Sequence, residues 1–161
     1  FLNIFKKVIK ENDNIVLILE DDIVFTDNFK ENLNKYYNQI PNDWDIIYLG
    51  GSRIKGVKIS PNVLKPVYNK KASSAVNMGC FAMLLNKKGI EKLLQLTQPL
   101  TYQLDVIVEQ NNEQLNVYYI LPEIIKHNNK FHSDIWYLNN NIKYYYGVEV
   151  FPEPQIINNK L

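Results

Sequence analysis

The sequence predicts an α/β domain in which helices flank a mainly parallel sheet. Three observations support this class: apolar runs too short for helices, amphipathic segments at helical spacing, and regular alternation of the two along the chain. The 161 residues suffice for one domain, and 46% of them are hydrophobic, so a buried core is expected. We therefore predict that residues 1–161 form a single domain.

The composition excludes several classes of protein. The net charge is +1, from 18 basic and 17 acidic residues, so no bulk field would attract nucleic acid or an anionic membrane. The apolar runs are far too short for a transmembrane helix. Cys80 is the single cysteine and lies in an apolar run, which predicts an inert buried thiol. No Asn-x-Ser/Thr acceptor occurs, and a cytoplasmic location is expected.

The first predicted strand leads directly into three acids. Residues 14–19 are rich in Ile, Val and Leu, which predicts a strand covered on both faces of a parallel sheet. Glu20, Asp21 and Asp22 follow at its carboxyl end, where such sheets bind ligands. Because side chains alternate along a strand, Glu20 and Asp22 are expected to share a face that suits a divalent cation. A strand that simply ends in solvated acids is the alternative.

Helical periodicity marks the segments on either side of this strand. Apolar residues recur at helical spacing through residues 1–9, which predicts an amphipathic helix that packs on the sheet. After a brief extended stretch at residues 23–25, Thr26 is expected to cap a second helix that runs through Gln39. Pro41 ends that helix.

A second strand is predicted at residues 45–49, and it is closed by Gly50 and Gly51. Glycine lets the backbone approach a ligand closely, so this pair is a candidate ligand-binding turn, with an ordinary tight turn as the alternative. The span 52–75 is basic and weakly periodic. It predicts a loop region or a few irregular strands.

The later elements continue the alternation of strand and helix. Residues 80–85 predict a third, buried strand, and Asn86 is expected to cap the helix that follows. Thr101 is a candidate cap for a short helix in which Asp105 lies beside the apolar stripe. Residues 117–121 predict a fourth strand.

Both histidines lie in the carboxyl-terminal part of the chain. His127 follows the fourth strand, and His132 is close behind it. Imidazole is a suitable ligand for manganese, although a lone histidine is more often structural. The aromatic segment beyond them is expected to cover an edge of the core, with stacking on sugar rings as the alternative.

Several pieces of the chain follow one another in a recognisable order. They are Ile15 to Asp22, Trp44 to Gly50, Gly79 to Leu94, Leu104-Asp105, Pro122, and Ser133 to Ile135. This order resembles glycosyltransferase family 25, which includes lipooligosaccharide galactosyltransferases and the collagen hydroxylysine galactosyltransferases. The resemblance covers most of the chain and rests on the ordered set rather than on one motif.

The resemblance implies a GT-A-type fold and transfer of a hexose from a UDP-sugar to a hydroxyl of a saccharide or of a hydroxylated protein side chain. Glu20, Asp21 and Asp22 take the place of the family's Asp-x-Asp-like motif. Asp22 would ligate Mn²⁺ or Mg²⁺ bound to the diphosphate, and Glu20 would assist it or face the ribose. Asp105 would act as general base or position the acceptor, with an exposed helix acid as the alternative.

The resemblance also suggests roles for the other candidates. His127 or His132 would complete the metal shell, while Asp21, Gly50 and Gly51 would lie against the donor. Members of the family normally begin with another strand, so the chain is expected to lack the first nucleotide-binding strand and to form a partial domain. A degenerate module that binds or assembles without catalysis is the alternative function, and a metal-dependent enzyme acting on other phosphates is the third.

Overall fold

The computed structural model describes residues 1–68, 80–100 and 102–128, together with the backbone of residues 155–157. These residues form both helices and strands. In chain order the elements are α1 (Leu2–Glu11), β1 (Ile15–Leu19), β2 (Ile23–Phe25), α2 (Phe29–Tyr37), β3 (Ile46–Tyr48), β4 (Lys55–Ser60), β5 (Val63–Pro66), β6 (Ala82–Asn86), α3 (Lys87–Leu96), α4 (Leu104–Gln110), β7 (Val117–Ile120), β8 (Ile125–His127) and β9 (Gln155–Ile157).

One mixed sheet organises the domain, with strand order β1-β6-β3-β7-β5-β4-β9. Strand β6 is antiparallel to both β1 and β3, whereas β7 is parallel to β3. The α/β class is confirmed, but the prediction of a mainly parallel sheet is wrong. The cause is that β6 enters the sheet in reverse between β1 and β3, and that the basic span supplies a hairpin of β4 and β5.

Helices cover both faces of this sheet. On one face, Phe5 of α1, Leu93 of α3 and Val108 of α4 join the core formed by alternate residues of β3, β6 and β7. On the other face, Tyr36 of α2 and Trp44 pack against the opposite side of the same strands. Among the residues that the structure describes, no helix has the length and apolar character needed to cross a bilayer.

Strand β1 differs from its prediction in burial. Within the described residues it pairs with β6 alone and lies at the rim of the sheet. Ile18 is buried on the α1 side, but Ile15, Leu17 and Leu19 on the opposite face are 48%, 38% and 37% exposed. The expectation of a strand covered on both faces is therefore wrong, because α2 packs over β3, β6 and β7 and does not extend over β1.

The helix caps show which local signals were reliable. Asn86 caps α3 as predicted, because its Oδ1 accepts a hydrogen bond from the Gly89 N–H at 2.7 Å. Thr26 does not cap α2, which begins at Phe29. Its hydroxyl donates instead to the Ile124 carbonyl at 3.0 Å, a contact between residues 98 positions apart. Thr101 lies outside the described residues.

A buried carboxylate fixes α3 to the sheet. Asp45 is fully buried at the start of β3, and its Oδ2 lies 2.5 Å from the Lys92 Nζ of α3. The same oxygen accepts a hydrogen bond from the Asn116 N–H at 2.8 Å. This network joins α3, β3 and the segment before β7, at the end of the sheet opposite the acids that follow β1.

Gly89 lies where α3 approaches β3 most closely. A Cβ at this position would lie 2.2 Å from the Asp45 carbonyl oxygen, which is a backbone atom that cannot swing away. Alanine in a helix is ordinarily about 1 kcal/mol better than glycine, but overpacking of this kind costs about 1–3 kcal/mol.

We expect Gly89→Ala to lower the free energy of unfolding in urea titrations, even though alanine has the higher helix propensity. Gln95→Ala, at an exposed position of the same helix, serves as the control and is expected to change stability by about 0.5 kcal/mol or less. A Gly89→Ala protein as stable as the parent would contradict the close packing of α3 on β3.

Candidate functional site

The carboxyl ends of three strands meet at one edge of the sheet. Strands β1 and β3 both run antiparallel to β6, and β7 runs parallel to β3, so all three point in the same direction. Glu20 follows β1, Gly50 follows β3 and Glu123 follows β7. With one strand between them, β1 and β3 end about 10 Å apart. This edge is where an α/β sheet binds ligands.

The side chains of Asp22 and His127 are in direct contact at this edge. Asp22 lies in the turn between β1 and β2, and His127 ends β8, which pairs antiparallel with β2. The His127 Nε2 lies 2.7 Å from the Asp22 Oδ2, and both side chains are about seven-tenths buried, with 27% and 29% exposed. The backbone supports the contact, because the Asn128 N–H donates to the Asp22 carbonyl at 2.6 Å.

The second oxygen of Asp22 lacks a hydrogen-bond partner. Its Oδ1 is buried and meets no donor among the described residues. A buried carboxylate oxygen without a partner is costly, and it marks a position where a cation or water would be favoured. Asp22 therefore offers one oxygen to a ligand while His127 holds the other.

Glu20 lies close enough to Asp22 and Asp105 for their negative charges to change its pKa. Burial raises the pKa of the Glu20 carboxyl above its ordinary value, and the negative charges of Asp22 and Asp105 raise it further, while His127 opposes them. Asp105 stands in the first turn of α4, where its Oδ1 accepts a hydrogen bond from the Val106 N–H at 2.8 Å. The edge thus gathers three carboxyl groups, two from the connection between β1 and β2 and one from α4.

The raised pKa of Glu20 makes a prediction for the metal-free protein. A carboxyl group whose pKa is higher in the folded state favours folding at low pH, and this contribution is lost as the pH rises through the folded-state pKa. We expect Glu20→Gln to match the parent in melting temperature near pH 4 and to exceed it near pH 7. Thermal melts in a chelator at both pH values check this, and an equal difference at both would show that ionisation of Glu20 is not the cause.

A layer of phenol and thiol groups lies behind the acids. Cys80 is buried beside Tyr48, with 3.7 Å between the Sγ and the Oη, and Tyr48 stacks on Tyr119 with ring centroids 4.6 Å apart. Burial raises the pKa of the Cys80 thiol far above neutrality, and the charges of Asp105 and Glu20 add to this effect. The thiol therefore stays protonated and unreactive, in line with the prediction for Cys80.

The other predicted site residues occupy different positions. Asp21 is exposed in the turn beside Asp22. Gly50 is buried, and a Cβ there would lie 2.1 Å from the Ile125 carbonyl oxygen, so its glycine is required by packing within the protein. The Gly51 N–H donates to the Glu123 Oε1 at 2.8 Å. His132 lies outside the described residues, and the contacts of these glycines with a donor stay a prediction.

The described residues fit a metal that shares its coordination with a substrate. Among residues 1–68, 80–100 and 102–128, no group of three or more His, Cys, Asp or Glu side chains is arranged to hold an ion. Asp22 supplies the buried oxygen without a partner, and His127 holds the other oxygen of the same carboxylate. Mg²⁺ and Mn²⁺ are commonly held by one or two protein groups together with phosphate oxygens and water. Glu20 as a third ligand stays a prediction.

Sequence analysis missed one residue at this edge. Glu123 follows β7 and contacts the glycine turn after β3, a pairing of residues that are 72 positions apart. An acid soon after a strand end was the available signal, but it is common in solvated loops.

Comparisons with known proteins identify the family of this chain. A sequence profile of glycosyltransferase family 25, described as LPS biosynthesis protein, matches residues 2–108. The chain is also 27% identical over 126 residues to "Procollagen lysyl hydroxylase and glycosyltransferase" of Acanthamoeba polyphaga mimivirus. That alignment covers 72% of this chain and 14% of the viral protein, so the chain spans about a seventh of that relative. Because the profile matches well over half of its residues, the chain belongs to glycosyltransferase family 25.

Proposed function

We propose that this domain transfers a hexose from a UDP-sugar to a hydroxyl group, with Mn²⁺ or Mg²⁺ bound at the Asp22 edge of the sheet. Membership of the family supports glycosyl transfer in general. The observation that carries the metal-dependent version is the Asp22–His127 contact, which leaves the Asp22 Oδ1 buried without a partner.

Asp22 would hold the metal, His127 would orient the Asp22 carboxylate, and Glu20 would assist as a further ligand. When bound, the cation neutralises the negative charge that develops on the departing UDP. His127 orients the Asp22 carboxylate through its Nε2. Glu20 adds negative charge next to this position. Burial and then the charge of Asp22 raise the pKa of Glu20, and a cation would relieve the repulsion between the two carboxylates.

Asp105 is the proposed general base. It lies in the first turn of α4 and close enough to Glu20 to raise that group's pKa. A carboxylate at this position can take the proton of an acceptor hydroxyl or hold that hydroxyl in place. The buried Cys80 and Tyr48 behind it exclude water from the interior side of the edge.

The acceptor class follows from the relatives. The family description refers to lipopolysaccharide biosynthesis, which favours a saccharide hydroxyl. The name of the viral relative pairs a lysyl hydroxylase with a glycosyltransferase, which favours a hydroxylated protein side chain. We propose that the acceptor belongs to one of these two classes.

Isothermal titration of the protein with UDP, with and without Mn²⁺, tests the donor and the metal together. We expect UDP binding that depends on Mn²⁺, and hexose release or transfer from UDP-galactose or UDP-glucose. Binding of neither UDP nor metal would favour a non-catalytic module. Release of phosphate from generic esters without action on UDP-sugars would instead favour a different metal-dependent enzyme.

A further inference from the structure

One short segment joins the two halves of the candidate site. Residues 123–127 leave β7, cross the end of β3 and continue into β8, which places His127 against Asp22. We call residues 123–127 the crossing segment. Asp22 lies between β1 and β2, whereas His127 lies at the end of the crossing segment. The geometry of their contact therefore depends on the position of this segment together with the pairing of β2 and β8.

Backbone contacts hold the crossing segment against the end of β3. The Ile124 and Ile125 N–H groups both donate to the Leu49 carbonyl, at 3.0 and 3.1 Å. The approach is so close that a side chain at Gly50 would meet the Ile125 carbonyl oxygen at 2.1 Å. Glycine at this position is therefore a condition for the segment to lie where it does.

Glu123 adds a side-chain contact at the start of the segment. Its Oε1 accepts a hydrogen bond from the Gly51 N–H at 2.8 Å. A hydrogen bond from a backbone N–H to a carboxylate is among the stronger kinds in proteins. Glu123 thus ties the first residue of the crossing segment to the turn after β3, four residues before His127.

We propose that Glu123 is a positioning residue for Asp22 and His127. By holding the crossing segment on the Gly50–Gly51 turn, it contributes to the position of His127 relative to Asp22. The part of this inference that concerns metal affinity rests on the proposed function, whereas the part that concerns the position of His127 does not. Residues that orient metal ligands from outside the coordination shell typically change metal affinity about 10- to 100-fold when replaced.

Glu123→Ala is the first test, with Mn²⁺ affinity in the presence of UDP measured by titration. We expect affinity to fall about tenfold, although Asp22 and His127 are untouched. Glu123→Gln is expected to restore affinity to within about threefold, because the amide oxygen can still accept from the Gly51 N–H. Gly50→Ala is the second test, since it displaces the segment by direct contact with Ile125, and a similar loss is expected.

Asn62→Ala is the matched control for a merely structural effect. Asn62 donates from its Nδ2 to the Leu121 carbonyl at 2.8 Å, just before the crossing segment, so its loss removes a comparable contact from the same connection. We expect this variant to lose some thermal stability and to keep the parent's Mn²⁺ affinity. An equal loss of affinity in Asn62→Ala would overturn the proposal.

A readout without metal separates this proposal from the proposed function. The ring resonances of His127 in the metal-free protein, assigned with the aid of His132→Asn, are expected to shift in Glu123→Ala and to stay close to the parent in Asn62→Ala. Unchanged His127 resonances and unchanged Mn²⁺ affinity in Glu123→Ala would overturn the positioning role and leave the transferase proposal standing. If the parent binds no Mn²⁺ but the His127 resonances still shift in Glu123→Ala, the metal-binding proposal is wrong and the positioning role of Glu123 stands.

Discussion

Replacing Asp22 with asparagine is expected to lower kcat/KM for the UDP-hexose donor by about a thousandfold, which corresponds to about 4 kcal/mol of transition-state stabilisation. Asparagine keeps the shape of the side chain but removes the charge that would hold the cation. The change in stability should be small, because Asp22 and His127 are both partly exposed and pairs of this kind contribute about 1 kcal/mol or less. Transfer kinetics and a thermal melt check the changes in kcat/KM and in stability, and a Mn²⁺ titration checks that the variant no longer holds the cation.

Asp27→Asn is the control for the Asp22 variant. Asp27 is exposed in the same stretch of chain, after β2 and before α2, and its replacement removes the same charge without touching the proposed site. We expect kcat/KM to stay within about twofold of the parent, in keeping with an exposed substitution. An Asp22→Asn protein that kept more than about a tenth of the parent's kcat/KM, a loss of less than about 1.4 kcal/mol, would contradict the metal-binding role.

Replacing Lys92 with methionine is expected to have the largest effect on stability, a loss of about 3–5 kcal/mol. Asp45 is fully buried, and without Lys92 its carboxylate would keep the Asn116 N–H as its hydrogen-bond donor. Its Oδ1 already has no partner among the described residues, so the charge would be left largely uncompensated. Urea unfolding monitored by circular dichroism measures this loss.

Two further variants isolate the cause of the Lys92 effect. Lys88→Met changes an exposed lysine of the same helix and is expected to alter stability by about 0.5 kcal/mol or less. Adding Asp45→Asn to Lys92→Met removes the buried charge while keeping an acceptor for the Asn116 N–H, and should recover more than half of the loss. A single Lys92→Met variant that unfolds like the parent would show that the buried pair is not stabilising.

Much of the fold could be predicted because its signals are local. The apolar spacing of α1, the apolar run of β6 and the cap at Asn86 each depend on residues within a few positions of one another. The direction of β6 and the rim position of β1 depend on pairings between distant segments. Residue spacing contains no information about such pairings, so the parallel assignment and the burial of β1 were wrong.

The candidate site shows the same division. Asp22 was found because acids directly after an apolar strand are a local pattern, and it lies at the expected edge of the sheet. Sequence alone could not choose between His127 and His132, because the position of His127 depends on contacts with distant segments, among them the pairing of β8 with β2 about a hundred residues away. Glu123 and the Asp45–Lys92 pair were missed for the same reason.

The outer border of β1 has a consequence for the behaviour of the isolated polypeptide. Ile15 to Leu19 is a stretch without charge or proline. Within the described residues its outer edge pairs with no other strand, and the side chains of Ile15, Leu17 and Leu19 are exposed. Such an edge is a template on which other chains can add in register. We therefore expect concentrated preparations of this polypeptide to be prone to cross-β aggregation that begins at this strand.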